Sequence, residues 1–342
     1  MLRLSYNPRL RIRMRLWQWL PALCVAAGIG VHARSRAAQL PQPCLAGSCG
    51  ATGPASFVTS GTASAVQAGA ALTVQQSSTK AILNWKTFNL SADATVKFQQ
   101  PTATSIALNR IFDANPSTIL GSISANGQIY LINPNGFVFG ATAQVNTAGL
   151  IAASLGISDS TFSAGLLAPQ VLFNRQAALT SDPAVLAANG TPTLDGNGNP
   201  VPGAVIVQQG AQISASSGGR ILLAAPTVQN AGTLQASDGQ VVLAAGQKVY
   251  LQASAIPELR GLIVEVDQGG TAWNQLTGAI NTPRGNVSMV GLMVNQDGRL
   301  SATTTVAANG SIRLEASDTT TSFPANAGSN SVPIVSSHGG TV

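Results

Sequence analysis

From Gly210 the chain reads GAQISASSGGRILLAA, and from Gly232 it reads GTLQASDGQVVLAA. Two further versions follow, GAINTPRGNVSMVG from Gly278 and GRLSATTTVAANGSIRLEA from Gly298. Each has a short strand, a turn rich in Ala, Ser and Gly, and a second, more apolar strand. Aligning them makes Ile213, Leu234, Ile280 and Leu300 equivalent. Two of their spacings are near 20 residues; the third, between Leu234 and Ile280, is about twice that and is read as two periods. A period near 21 residues with two or three short strands fits one coil of a parallel β-helix, in which successive coils stack about 4.8 Å apart. A propeller blade runs to about 40 residues and fits worse.

Working outward from these repeats, alternating apolar runs bounded by Gly, Asn, Asp and Pro recur from residue 50 onward, and helical periodicity is nearly absent. The chain is therefore expected to be all-β. Asn115-Pro116, Asn133-Pro134-Asn135-Gly136, Asn197-Gly198-Asn199-Pro200 and Pro202-Gly203 mark turns, because Asn and Gly tolerate positive φ and Pro stops a strand. Residues 165–205 break the period. They are too long for a turn and are read as an excursion packed on the side of the solenoid, with a short helix expected over 181–188.

A stacked-coil fold also accounts for the composition. Only 9% of the 342 residues are charged and 5% aromatic, far below the roughly one quarter charged of ordinary domains. A solenoid needs only main-chain ladders and a thin aliphatic stack. The net charge of +6 misleads: residues 1–33 hold Arg3, Arg9, Arg11, Arg13 and Arg15 and no acid. Without these five, the 18 basic groups fall to 13 against 12 acidic ones, which leaves no electrostatic footprint for a nucleic acid.

Residues 1–33 have the form of an export signal: a basic start, an apolar run over 16–31, and Val31-His32-Ala33 as a small-residue cleavage site. Export by the Sec machinery is expected, and no later apolar run reaches membrane-spanning length. Cys24 leaves with the leader. Cys44 and Cys49 remain, five positions apart, as either a small disulfide loop or two free thiols. A zinc site lacks ligands.

Chemistry is scarce. Beyond the leader the only histidine is His338, so no Ser-His-Asp or Cys-His arrangement is supported. Glu258, Glu265 and Asp267 are too spread for a glycosidase pair. Asp195-Gly196-Asn197-Gly198-Asn199 resembles a calcium loop only faintly and reads better as an Asn-Gly hairpin turn. No phosphate loop is present. The expectation is a non-enzyme without cofactor or metal.

The residues from Ala81 to Ser154 narrow this further. Asn84-Trp85 with Phe88-Asn89, the Asn109-Arg110 pair, the Gly127-Gln128 strand, Asn133-Pro134-Asn135-Gly136, Gly140 and Asn146-Thr147 come in the order and spacing of the N-terminal secretion domain of two-partner secretion exoproteins. The chain resembles this family, that of filamentous haemagglutinin and the high-molecular-weight adhesins. Phe137 stands where the family's Asn-Pro-Asn-Gly-Ile motif has Ile. The resemblance implies a right-handed parallel β-helix with extra-helical β elements. It also implies recognition by an outer-membrane transporter, a barrel with periplasmic peptide-binding domains.

The implied organisation is a signal peptide (1–33), an N-terminal cap segment (34–80), the secretion domain (81–255) and further β-helix repeats (256–342). Asn84, Trp85, Phe88, Asn89, Asn109, Arg110, Asn133, Pro134, Asn135 and Gly136 are the candidate recognition residues. Alternatively, Trp85 and Phe88 cap the open end of the solenoid, and Asn133 and Asn135 are turn and ladder residues. The implied product is a secreted or surface-bound adhesin, with host-cell glycans or proteins as targets, or a truncated form of one. A fragment of a haemolysin or contact-dependent toxin, and a β-helical polysaccharide enzyme, are the alternatives. An autotransporter is not expected, because no run of amphipathic barrel strands follows.

Overall fold

The computed structural model describes residues 38–50, 53–167, 176–253 and 261–302, together with the backbone of 311–316. The leader with its cleavage site, Glu258 and His338 lie outside the described residues. No described helix is long and apolar enough to cross a membrane.

The chain coils through three sheets of twelve, nine and six strands. Along the solenoid the pairing is parallel, as in Gln128–Ile132 between Ile106–Ile111 and Gly149–Ala153. The register of the nine-stranded sheet puts Leu72, Val96, Ile123, Val145, Ile213, Leu234, Ile280 and Leu300 in one column. All but Leu300 are buried, and all line one continuous core. Burying each such side chain contributes about 1.5–3 kcal/mol.

This column corrects one reading of the sequence. Leu234 pairs directly with Ile280, so the long interval is a single coil carrying an insertion rather than two coils. The cause is the strand Gln240–Ala253, which runs 14 residues, beyond the end of its coil. It folds back antiparallel on Leu262–Gly269 before the chain rejoins the solenoid at Thr271–Asn274.

The earlier insertion is the expected excursion, but it leaves the coil about ten residues sooner. It departs after Gly149–Ala153 and returns at Val205–Val207. It carries helix α1 (Asp159–Ala164), with the Ser158 hydroxyl accepting the Thr161 N–H at its N-terminus, and helix α2 (Pro183–Asn189). The latter falls close to the predicted 181–188; Pro183 begins it because its missing N–H has no intrahelical partner to lose.

Both insertions depart from the same corner of the coil, between a strand of the twelve-stranded sheet and the following strand of the six-stranded one. Both fold back over the outer face of the twelve-stranded sheet. There Ile82, Leu108, Tyr130, Ile151, Leu222 and Val242 form a second apolar cluster with Phe162 and Leu179 of the first insertion and Val249, Leu251, Val264 and Val266 of the second. Double-sided burial explains the unbroken apolar runs ILLAA (221–225) and VVLAA (241–245). Leu223 faces the inner core while its neighbours Leu222 and Ala224 face the outer cluster.

Candidate functional site

The ten candidate recognition residues fall into two groups at the N-terminal end of the solenoid. The first group holds the cap. Strands Gln42–Pro43 and Val58–Ser60 both pair antiparallel with Lys80–Thr87, the first long coil strand. Trp85 and Phe88 are fully buried there. The Trp85 ring meets Phe57 at 4.9 Å and Phe88 at 5.3 Å, edge to face in both contacts, a preferred geometry for aromatic pairs.

A buried indole N–H needs an acceptor. Trp85 Nε1 donates to Asn109 Oδ1 at 2.9 Å, and the Asn109 amide donates in turn to the carbonyls of Ala107 and Tyr130. Asn109 is therefore a polar residue inside an apolar core because the tryptophan requires it. Asn84 projects from the opposite face, where its amide reaches the carbonyls of Ser56 and Phe57 and the Thr59 hydroxyl. Asn89 accepts the Thr118 N–H at 2.7 Å and donates to Asp113 Oδ2, tying the first coil to the second. Cys44 and Cys49 are disulfide-bonded, with Cα atoms 5.6 Å apart, and the Cys44 N–H donates to the Asn84 carbonyl.

The second group fastens the first insertion. In Asn133-Pro134-Asn135-Gly136, Asn133 Oδ1 accepts the Asn135 N–H, while its amide donates to the Asn115 carbonyl and Ser117 Oγ of the preceding coil. Asn135 points outward and saturates itself on neighbouring segments. It donates to the carbonyls of Asp113 and Thr191, and it accepts from the N–H and hydroxyl of Thr193.

The returning backbone comes so close that side chains are excluded. A Cβ on Gly136, which has φ +93°, would meet the Ala204 carbonyl oxygen at 2.1 Å, and one on Gly190 would meet Pro134 Cδ at 2.4 Å. The Gly203 N–H completes the contact by donating to the Pro134 carbonyl. Arg110 does the same work on the helices: Nε donates to Asn189 Oδ1, and Nη2 binds the Ile157 carbonyl and Asp159. The guanidinium is buried while Asp159 is largely exposed.

Nine of the ten residues, all but Asn89, are at least nine-tenths buried. Their partners Asn189, Gly190, Thr193 and Gly203 were not visible as site residues in the sequence. Asn189-Gly190 and Pro202-Gly203 carry the only signal, and it reads simply as turn.

Elsewhere the chemistry is thin. Asp195 closes an exposed turn by accepting the N–H groups of Asn197 and Asn199. These bonds, Asn199 first, hold its carboxyl below the ordinary value. Burial pushes Tyr130 up to about 12, against a small opposing effect of the Arg220 charge. Among the described residues, no three of His, Cys, Asp and Glu come together to hold a metal.

A solenoid whose first coils are sealed by a cap, and whose longer insertion is clasped by buried amides, is a capped parallel β-helix. The chain belongs to the TPS secretion domain family, which its residues 53–331 match. The HMW1 secretion domain from Haemophilus influenzae superposes with a TM-score of 0.60 at 25% identity, over 75% of this chain and 61% of that one. Two heme/hemopexin-binding proteins of Haemophilus influenzae are 43% and 39% identical over 79 residues, which is 23% of this chain. The matched segment spans 8–9% of their length. Membership makes the protein a two-partner secretion exoprotein module, secreted across the outer membrane.

Proposed function

We propose that this chain is the transporter-addressed head of an adhesin, and that the motif residues act by building the first folded coils rather than by touching the transporter with their side chains. The observation that carries this reading is the burial of Asn109, Arg110, Asn133 and Asn135, spent on the cap (Asn109), the preceding coil (Asn133) and the first insertion (Arg110 and Asn135). The chain meets the transporter as an exported, incompletely folded polypeptide. Once the capped first coils form outside, each later coil needs only its predecessor as a template. Stepwise burial of the aliphatic column then draws the chain outward where no nucleotide is available.

Asn133→Ala unties its turn from the preceding coil and Asn135→Ala unclasps the first insertion, and both residues are buried. In cells supplying the cognate transporter, both variants should be retained in the periplasm and degraded, and normal secretion of both would refute the reading. Adhesion to host glycans or proteins is proposed for the exported product from its likeness to the HMW1 secretion domain, and binding of labelled protein to epithelial cells measures it.

A further inference from the structure

The two insertions do not close completely over the outer face of the twelve-stranded sheet. A cavity of about 520 Å³ remains, lined by Leu166 and Leu167 of the first insertion and by Leu251 and Leu262 of the second. Small-molecule sites run to roughly 300–1,000 Å³, apolar in the main with a few convergent polar groups.

One residue opens this space. The register sets Gln128, Gly149 and Arg220 in one row across three neighbouring strands, with Tyr130, Ile151 and Leu222 as the next outward-facing row. Gly149 therefore leaves a gap where a side chain would stand between Gln128 and Arg220. A Cβ there would meet nothing closer than Gln128 Cγ at 3.4 Å, and its backbone lies outside the left-handed region. Neither a turn nor a close approach requires this glycine.

The polar groups gather beside the gap. Arg220, exposed at the rim, is the one charged side chain among the described residues of the lining. Among the described residues none forms an ion pair with it. Its charge reaches the Tyr130 hydroxyl, whose bond to Gln128 Oε1 is long, at 3.4 Å.

We propose that this cavity binds a single-chain amphiphile with a carboxylate head, the chemistry of a long-chain fatty acid. Ile151, Leu222 and the leucines of the two insertions receive the tail. Arg220 takes the carboxylate in a charge-assisted pair, and the Tyr130 hydroxyl donates to it. Charge complementarity chooses this occupant: the lining offers one unpaired cation and no acid, so a neutral or cationic head would leave the guanidinium unanswered. The inference concerns the folded, exported product and stands apart from how that product is secreted.

Calorimetric titration of the purified exported chain with dodecanoate tests it. Dodecyltrimethylammonium, with the same tail and the opposite head charge, is the comparison. Saturable binding of a single dodecanoate is expected, about tenfold tighter than the cation or better. Gly149→Leu fills the gap and should weaken dodecanoate by roughly tenfold or more. Arg220→Glu, at an exposed position, should reverse the preference between the two heads. Absence of saturable dodecanoate binding, equal affinity for the two heads, or affinity unchanged in both variants overturns the inference. Should near-UV circular dichroism show that Gly149→Leu misfolds, Arg220→Glu decides alone: a reversed preference supports the site, and an unchanged one overturns it.

Discussion

The two insertions leave the solenoid at the same corner and cover the same outer face, but they are held differently. The hairpin of Gln240–Ala253 and Leu262–Gly269 is an extension of a coil strand, so seven residue pairs of main-chain ladder keep it in place. The first insertion has no such ladder to the coils. Its helices and returning loop meet the solenoid through the isolated bridge of Ile111 to Gly190 and through the side chains of Arg110 and Asn135. Where backbone pairing suffices, almost any apolar alternation serves. Where it does not, individual amides and glycines become irreplaceable, and only there does the sequence carry a sharp motif.

The strongest way to break this contrast is Asn135→Ala. It orphans the Asp113 and Thr191 carbonyls and the Thr193 N–H, which are only part-buried, so each costs about 1 kcal/mol and a loss of about 3 kcal/mol is expected in denaturant unfolding. Proteolysis of the folded variant should begin within 190–203 and spare the hairpin. Arg110→Ala should cost about 3 kcal/mol by the same measurement, and Arg110→Lys should restore little, since a point charge cannot serve Asn189, Ile157 and Asp159 together.

Tyr130 probes the face both insertions cover. Its folded-state value of about 12 lies above the ordinary 10, so stability is complete below pH 10 and is lost as pH rises through 12. The loss approaches ~3 kcal/mol, and Tyr130→Phe should abolish it in unfolding curves taken at each pH. On the hairpin side, Val249→Ala removes packing without orphaning a polar group and should cost about 1–2 kcal/mol. The smallest effect is expected at Arg284, whose fork grips Asp238 of the preceding coil at an exposed corner. Its replacement by alanine should change stability slightly, and not at all in high salt.

These differences explain what the sequence disclosed. Ile213, Leu234, Ile280 and Leu300 revealed the coil, because a column on one sheet face repeats in the chain. The same column misled at 234–280: the hairpin's own apolar alternation, VYLQA and LIVEV, is indistinguishable from another coil until its antiparallel pairing is known. Asn133 and Asn135 stood out by their motif, but their partners Thr191, Thr193 and Gly203 lie 56 or more residues away and look like ordinary loop. Asn109 was the least readable in physical terms. Nothing local says that an asparagine inside an apolar strand answers a tryptophan 24 residues earlier.

The shared corner has a practical side. Between Arg220–Ala225 and Thr227–Asn230 the same corner is spanned by Pro226 alone, although the neighbouring coils on either side tolerate departures of some fifty and twenty-five residues without losing register. It is a ready port for grafting: a foreign epitope or small domain spliced at Pro226 would be carried on the flank of the solenoid, beside loops the scaffold already displays.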